Sequence, residues 1–217
     1  MLNEHSFSFE IMATRAGTRR ATGSEGSSDK REAILRSATK VFAQNGYFNS
    51  KVADVAADAG IADGTVYLYF KSKDEILHSI FDRAMEHFIA EGRRELAELQ
   101  TPLERLRRIA ELHLERLGTD RDLAIVFQVE LRGSTKHMQE FSAAGFAQYL
   151  DIIRETIEAG QRAGDFRTDV RPIIAAKILY GSLDEMVTNW VLSKRSYALA
   201  PMASEVLKIF LIGISAK

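Results

Sequence analysis

No cysteine occurs in this chain of 217 residues. That excludes a disulfide framework, a thiol nucleophile and a thiolate metal site. No apolar run approaches the ~18 residues needed to span a membrane. The first residues lack the basic start and apolar stretch of a signal peptide, so the cytoplasm is the expected location. Strand-period alternation is missing, and no internal repeat is visible. His78 and His87 stand nine apart on one helix, so the i, i+4 pair of a helical metal site is missing too. No glycine-rich loop offers a phosphate cradle. Asp184 and Glu185 are adjacent, and on a helix adjacent side chains project in different directions, so they form no catalytic dyad. These absences argue against an enzyme, and no metal or cofactor is expected.

What is present is ordinary in bulk and uneven in place. Hydrophobic residues make up 46% and charged residues 27%, as in a soluble globular protein with one or two modest domains. The net charge is −1. Residues 13–73 nevertheless carry ten lysines and arginines against six acids, whereas residues 74–217 carry nineteen against twenty-two. A basic front on an acidic body suits a polyanionic partner, because phosphate neutralisation depends on local charge.

The chain reads as all-α, with three small helices in front and about six behind. Residues 1–28 are rich in Ser, Gly, Thr and Arg without periodicity, and are expected to form a disordered basic arm carrying Arg15, Arg19 and Arg20. Asp29 and Glu32 suggest a capping box for the first helix, which Gly46 ends. Ser50 suits the N-cap of a second, short helix. Gly60 turns the chain into a third, over about Ala62 to Tyr69 or Phe70. Ser72 and Glu75 cap a long fourth helix from about Lys73. Pro102 opens a fifth and Gly118 closes it. The segment Leu123–Leu131 is apolar almost all round and should be central; Gly133 and Ser134 end it. A seventh helix begins with Phe141, and Gly160 and Gly164 close it. Pro172 opens an eighth, reaching about Leu192, and a ninth runs from near Leu199 to about Ile214. The expected units are the arm, a DNA-binding unit over 29–73, and a ligand-binding and dimerising unit over 74–217.

The second and third helices have the form of a helix-turn-helix, whose second helix enters the DNA major groove. Gly64 lets backbone approach DNA closely. Thr65 offers a hydroxyl and a methyl to a base edge. Tyr67 and Tyr69 can place hydroxyls on phosphates. Lys71 and Lys73 supply counter-charge, and Ser50, with Lys51 beside it, can share a helix N-terminus with a phosphate oxygen. Val55, Ala59, Ile61, Val66 and Phe70 would hold the unit together. An ordinary helical hairpin with solvated Lys and Tyr is the alternative. Spacing, aromatics and trailing lysines together favour double-stranded DNA.

The run GYFNSKVADVAADAGIADGTVYLYFKSKDEI resembles the DNA-binding domain of TetR-type repressors. The resemblance implies an all-α homodimer that binds a palindromic operator and lets go when a small molecule enters the C-terminal domain. It also implies DNA contacts from Ser50, Thr65, Tyr67 and Lys71. Where the family often has Ser-Lys before Gly-Thr, this chain has Ala62-Asp63. Asp63 then either favours the start of its own helix or accepts from a cytosine amine. The further blocks LAIVFQVELRGS and GSLDEMVTNWVLS resemble those TetR-type regulators of fatty-acid degradation that sense long-chain acyl-CoA. That resemblance implies a hydrophobic effector of this class.

The helical rows behind supply more apolar side chains than a small bundle needs. Phe88, Leu106, Ile109, His113, Ile125, Val129, Phe146, Tyr149, Leu150, Ile153 and Tyr180 are the expected lining of a tunnel. Any one of them could equally be plain core. Arg105, Arg107, Arg108, Arg116 and Arg132 lie nearby in sequence, and Arg132 is the favoured phosphate partner. A solvated helix face is the alternative for helix five, given Glu104, Glu111 and Glu115. Dimerisation is expected through one strip of Ile178, Gly181, Asp184, Val187, Thr188 and Val191, and another of Val206 and Phe210. A TetR-type efflux or stress regulator sensing another hydrophobic molecule is the alternative function.

Overall fold

The computed structural model describes residues 21–132 and 145–216. Arg15, Arg19, Arg20, Gly133, Ser134 and Phe141 lie outside the described residues. Among those described there are nine α-helices and no strand. They are α1 (Ala21–Asn45), α2 (Val52–Asp58), α3 (Asp63–Val66), α4 (Lys73–Ala97), α5 (Pro102–Thr119), α6 (Arg121–Ile125), α7 (Gly145–Ala163), α8 (Pro172–Leu192) and α9 (Met202–Ile214). A π-helical segment, Val126–Glu130, continues α6.

The caps explain most of the boundaries. Ser72 Oγ accepts from Glu75 N at 3.1 Å. Thr101 and Glu104 form a reciprocal capping box ahead of Pro102. Asp120 accepts from Leu123 N at 2.9 Å and starts α6. Gly60, at φ +67°, makes the turn between α2 and α3. Three expectations are corrected here. Helix α1 starts at Ala21, inside the stretch read as an arm, because a nucleated helix extends at the cost of one fixed residue per added bond. Glu32 does not cap it; its carboxylate pairs with Arg83 on α4 at 2.8 Å. The third helix is also shorter than its pattern, and ends at Val66.

Two hydrophobic cores result. The first joins α1, α2, α3 and the start of α4 through Ile34, Leu35, Phe42, Val55, Val66, Phe70, Ile76, Leu77 and Phe81. The second joins the end of α4 to α5, α7, α8 and α9. Helix α4 thus serves both. The apolar segment at α6 is central as its pattern implies: Ala124 packs in the second core, Val126 and Leu131 in the first, and Phe127 against both. Gly160 lets the Phe166 ring lie flush on α7, where a Cβ would meet ring carbons at 2.1 Å.

Candidate functional sites

The front unit presents α3 to solvent. Ala62, Asp63 and Gly64 are exposed at its start, and Thr65 is half-buried. Val66 and Phe70 anchor the other face in the first core. Tyr67 is 56% exposed, Tyr69 is half-buried, and Lys51 and Lys71 are exposed. This is a short helix with small residues outward and hydroxyls and cations at its edges, the form that fits a major groove. Leu68 and Phe48, at 82% and 65% exposure, share this surface. Neither has a role legible in the sequence, because an apolar residue in an apolar run carries no sign of direction.

Two expected DNA contacts are corrected. Ser50 is buried, and its hydroxyl donates to Gly46 O at 2.8 Å; Lys51 occupies the cap position of α2. Lys73 is not a free phosphate ligand. Its ammonium donates to Tyr47 O at 2.7 Å and Ser50 O at 2.8 Å, and lies 4.4 Å from the centre of the Tyr47 ring. It staples the α1–α2 turn to α4.

Behind this unit lies a cavity of about 830 Å³ between α1, α4, α5, α6, α7 and α8. Its inner part is aromatic. Phe88, Phe146, Tyr149, Tyr180 and His113 line it, as the sequence suggested, together with Met85, Phe127 and Gln128. The Phe88 and Tyr149 rings meet at 5.0 Å, and those of Phe146 and Tyr180 at 4.8 Å. His113 Nδ1 and Tyr149 Oη lie 2.9 Å apart. Burial pushes the His113 pKa down to about 4, so the ring is neutral near pH 7. Burial likewise raises the Tyr149 and Tyr180 hydroxyls. Asp184 closes the inner wall. It accepts from Gln128 Nε2 at 2.8 Å and from Tyr180 Oη at 3.1 Å, and pairs with Arg132.

The outer part of the same cavity is a charged rim. Arg36 and Lys40 come from α1, Arg83, His87 and Arg94 from α4, and Arg116 from α5. Glu91, Asp120 and Asp122 stand among them. Glu91 pairs with Arg94 and Arg116, and Lys40 with Asp58. Except for Arg116, the sequence did not single out these cations as ligand contacts. Each reads as part of a solvated face, and only the fold brings the cations of three helices to one opening. Among the described residues, no cluster of acids and histidines is placed to hold a metal.

Several expected lining residues are elsewhere. Leu106, Ile109 and Ile153 are wholly packed in the second core, and Ile125 packs against it. Leu150 is buried away from the cavity, and Val129 is 42% exposed. Apolar periodicity reports burial and does not separate packed core from cavity wall. Arg132 does not line the cavity; it pairs with Asp184, which does. Of the α5 arginines, Arg105 donates to Leu99 O, and Arg108 is engaged by Glu95, Glu111 and Glu115.

The expected dimer strip is also redrawn. Val187, Val191 and Phe210 face the chain's own core, with Val206 half-buried against it. Asp184 pairs within the chain, and Thr188 donates to Gln128 Oε1 at 2.9 Å. Ile178 is exposed, at 55%, and Gly181 is exposed beside it. The outward apolar row is Ile174, Ile178 and Leu192 on α8, with Ile209 and Ile212 on α9 at 73% and 81% exposure. A helix apolar on nearly every side gives no sign of which face turns outward.

Comparison with known proteins finds relatives for both units. Residues 34–80 match the tetR family of bacterial regulatory proteins, and residues 81–213 match the C-terminal region of YsiA-like proteins. The two matches meet where α4 passes from one core to the other. The fatty acid metabolism regulator protein of Bacillus subtilis is 35% identical over 184 residues, covering 85% of this chain and 95% of that protein. The crystal structure of B. subtilis FadR in complex with stearoyl-CoA superposes with a TM-score of 0.80 at 35% identity, covering 84% and 98% of the two chains. The fatty acid degradation regulator FadR of Bacillus halodurans gives 0.81 at 33% identity, covering 87% and 97%.

Proposed function

Since this chain belongs to the TetR family of DNA-binding regulators, we propose that it represses fatty-acid degradation genes and leaves its operator when long-chain acyl-CoA binds. The observation that carries this reading is one cavity with two chemistries. Its aromatic inner part suits an alkyl chain, and its rim of Arg36, Lys40, Arg83, Arg94 and Arg116 suits a polyanionic head. The stearoyl-CoA complex of the related B. subtilis protein supports the same ligand class.

The DNA-binding surface is Ala62–Thr65 with Tyr67, Tyr69, Lys51 and Lys71, acting on double-stranded DNA. Two copies would join through the outward rows of α8 and α9. Their α3 helices would then read the halves of a palindrome about 34 Å apart. A ligand can shift this arrangement only by binding one spacing of the heads better than another. The α6 segment offers a route. Phe127 and Gln128 line the cavity, and Glu130, in the same π-helical turn, accepts from Tyr47 N at 2.6 Å, just ahead of α2. Chain entry that repacks Phe127 would move the support of the DNA-binding unit.

The test is operator release, measured by gel shift, with acyl-CoAs of increasing length and with free CoA. Each added methylene buried is worth at most ~0.8 kcal/mol, or about fourfold in the concentration for half release. Longer chains are expected to release at lower concentration, with CoA alone inert. Release by CoA alone at the same concentration would overturn the reading. Mass spectrometry of ligand extracted from purified protein separates acyl-CoA from the drug-like effector of an efflux regulator.

A further inference from the structure

The cavity rim contains a contact that reaches into the helix-turn-helix. Lys40, one helical turn beyond Arg36 on α1, lines the rim, and its ammonium is bound by Asp58, the last residue of α2. Arg36 lines the same rim, is exposed, and makes no hydrogen bond or ion pair among the described residues. The Lys40–Asp58 pair is open to water, with side-chain exposures of 50% and 24%. Ion pairs this exposed are weak and easily exchanged. A phosphate carries more charge than a carboxylate and more oxygens to share, so it competes well for a lysine that an arginine already flanks.

We propose that the α1 face of the rim is a phosphate-ester site, in which Arg36 waits unengaged and Lys40 is drawn from Asp58 when a phosphate binds. This rests on the acyl-CoA reading and adds to it. The acyl chain occupies the aromatic end, while the phosphates of the CoA hold Lys40 of α1 at the rim and away from α2, two helices of the DNA-binding unit. Asp58 then keeps the Ser37 hydroxyl but loses its ionic partner on α1, and the tether at the C-terminal end of α2 is weakened. Head group and chain thereby act on the DNA unit through separate contacts, the chain through α6 and the phosphates through α1. The site's specificity is for the phosphorylated carrier and not merely for the lipid.

The probes are palmitoyl-CoA and palmitoyl-pantetheine, which share the acyl thioester; the second lacks both the phosphates and the adenosine, so the response of Arg36 and Lys40 variants assigns the difference to the phosphates. For each protein, the ratio of their half-release concentrations on operator DNA is measured, which cancels any change in ligand-free DNA affinity. Calorimetric titration without DNA gives the same ratio for binding. In the parent protein palmitoyl-CoA should act at a concentration about tenfold lower, as one or two charge-assisted hydrogen bonds allow. Arg36→Ala and Lys40→Met should each cut that ratio to about threefold or less. Asp58→Asn, which frees Lys40, should raise it. Arg107→Ala, an exposed arginine off the rim, controls for general charge and should leave it unchanged. A ratio near one in the parent, or one indifferent to Arg36 and Lys40, overturns the phosphate site while leaving the acyl-CoA reading intact. Failure of palmitoyl-CoA to release the parent protein at all overturns that reading instead. A ratio that falls in Asp58→Asn overturns the exchange of Lys40.

Discussion

Removing the Asp184 carboxylate is the sharpest probe of the cavity's inner wall. Asp184→Ala leaves Gln128 Nε2 and Tyr180 Oη without their acceptor, and Arg132 without its counter-ion. Gln128 is only 6% exposed, and Tyr180 is half-buried. A buried donor left unpaired costs ~1–3 kcal/mol, so these two together cost ~2–6 kcal/mol. Arg132 adds little, because its side chain is 39% exposed and can turn to water. At ~2–4 °C per kcal/mol for a chain of this size, Asp184→Ala should melt ~4–24 °C below the parent. Asp184→Asn keeps one acceptor oxygen and most of the shape, and should lose less than half as much. Differential scanning calorimetry at two protein concentrations, tenfold apart, is the assay. All three partners belong to the same chain, so the difference between variant and parent should be equal at both. A drop under 2 °C would refute the network's weight. A gap that widens on dilution would put the Asp184 partners across a subunit interface, since dimer-dependent stability follows concentration.

Three further expectations follow from particular contacts. Tyr67→Phe and Lys71→Ala should each weaken operator binding several-fold with unchanged circular dichroism, and Lys71→Ala should lower the slope of log affinity against log salt by about one; undiminished affinity in both refutes the DNA surface. His113 stays neutral when folded, with its pKa at about 4, while the unfolded chain takes up that proton near pH 6.5. The unfolded state therefore binds more protons between those values, so stability rises with pH from about 4 to 6.5 and is lost on acidification, by up to ~3 kcal/mol. Urea unfolding across that range should show a shallower dependence in His113→Leu, and identical curves would contradict the buried, neutral ring. Ile178→Asp combined with Ile209→Asp should yield monomers by sedimentation and operator binding at least tenfold weaker; a stable dimer would place the interface elsewhere.

The helices themselves were legible in the sequence because their causes are local. Ser72, Thr101 with Glu104, Pro102 and Pro172 mark starts within one turn of the residues they act on. Gly60, at φ +67°, makes a turn that a residue with a side chain would adopt less readily. The exposed start of α3 followed from the same local reading, since Val66 and Phe70 face inward at helical spacing and Gly64 and Tyr67 do not. Misreadings arose where the partner comes from far along the chain or from the other side of a helix. Ser50 is a local exception: it has a capping side chain, yet its hydroxyl turns back four residues to Gly46 O. Lys73 follows a recognition helix, yet its ammonium is spent on the carbonyls of Tyr47 and Ser50.

Composition and short-range spacing thus determined an all-helical chain with a helix-turn-helix in front and an apolar body behind. Tertiary structure alone decided which apolar residues wall a cavity and which fill a core, which face of α8 turns outward, and that Arg36, Lys40, Arg83, Arg94 and Arg116 share one opening. The physical reason is range. A cap or a turn is fixed by forces within a few residues, whereas a rim assembled from three helices exists only once two cores have packed and set those helices side by side.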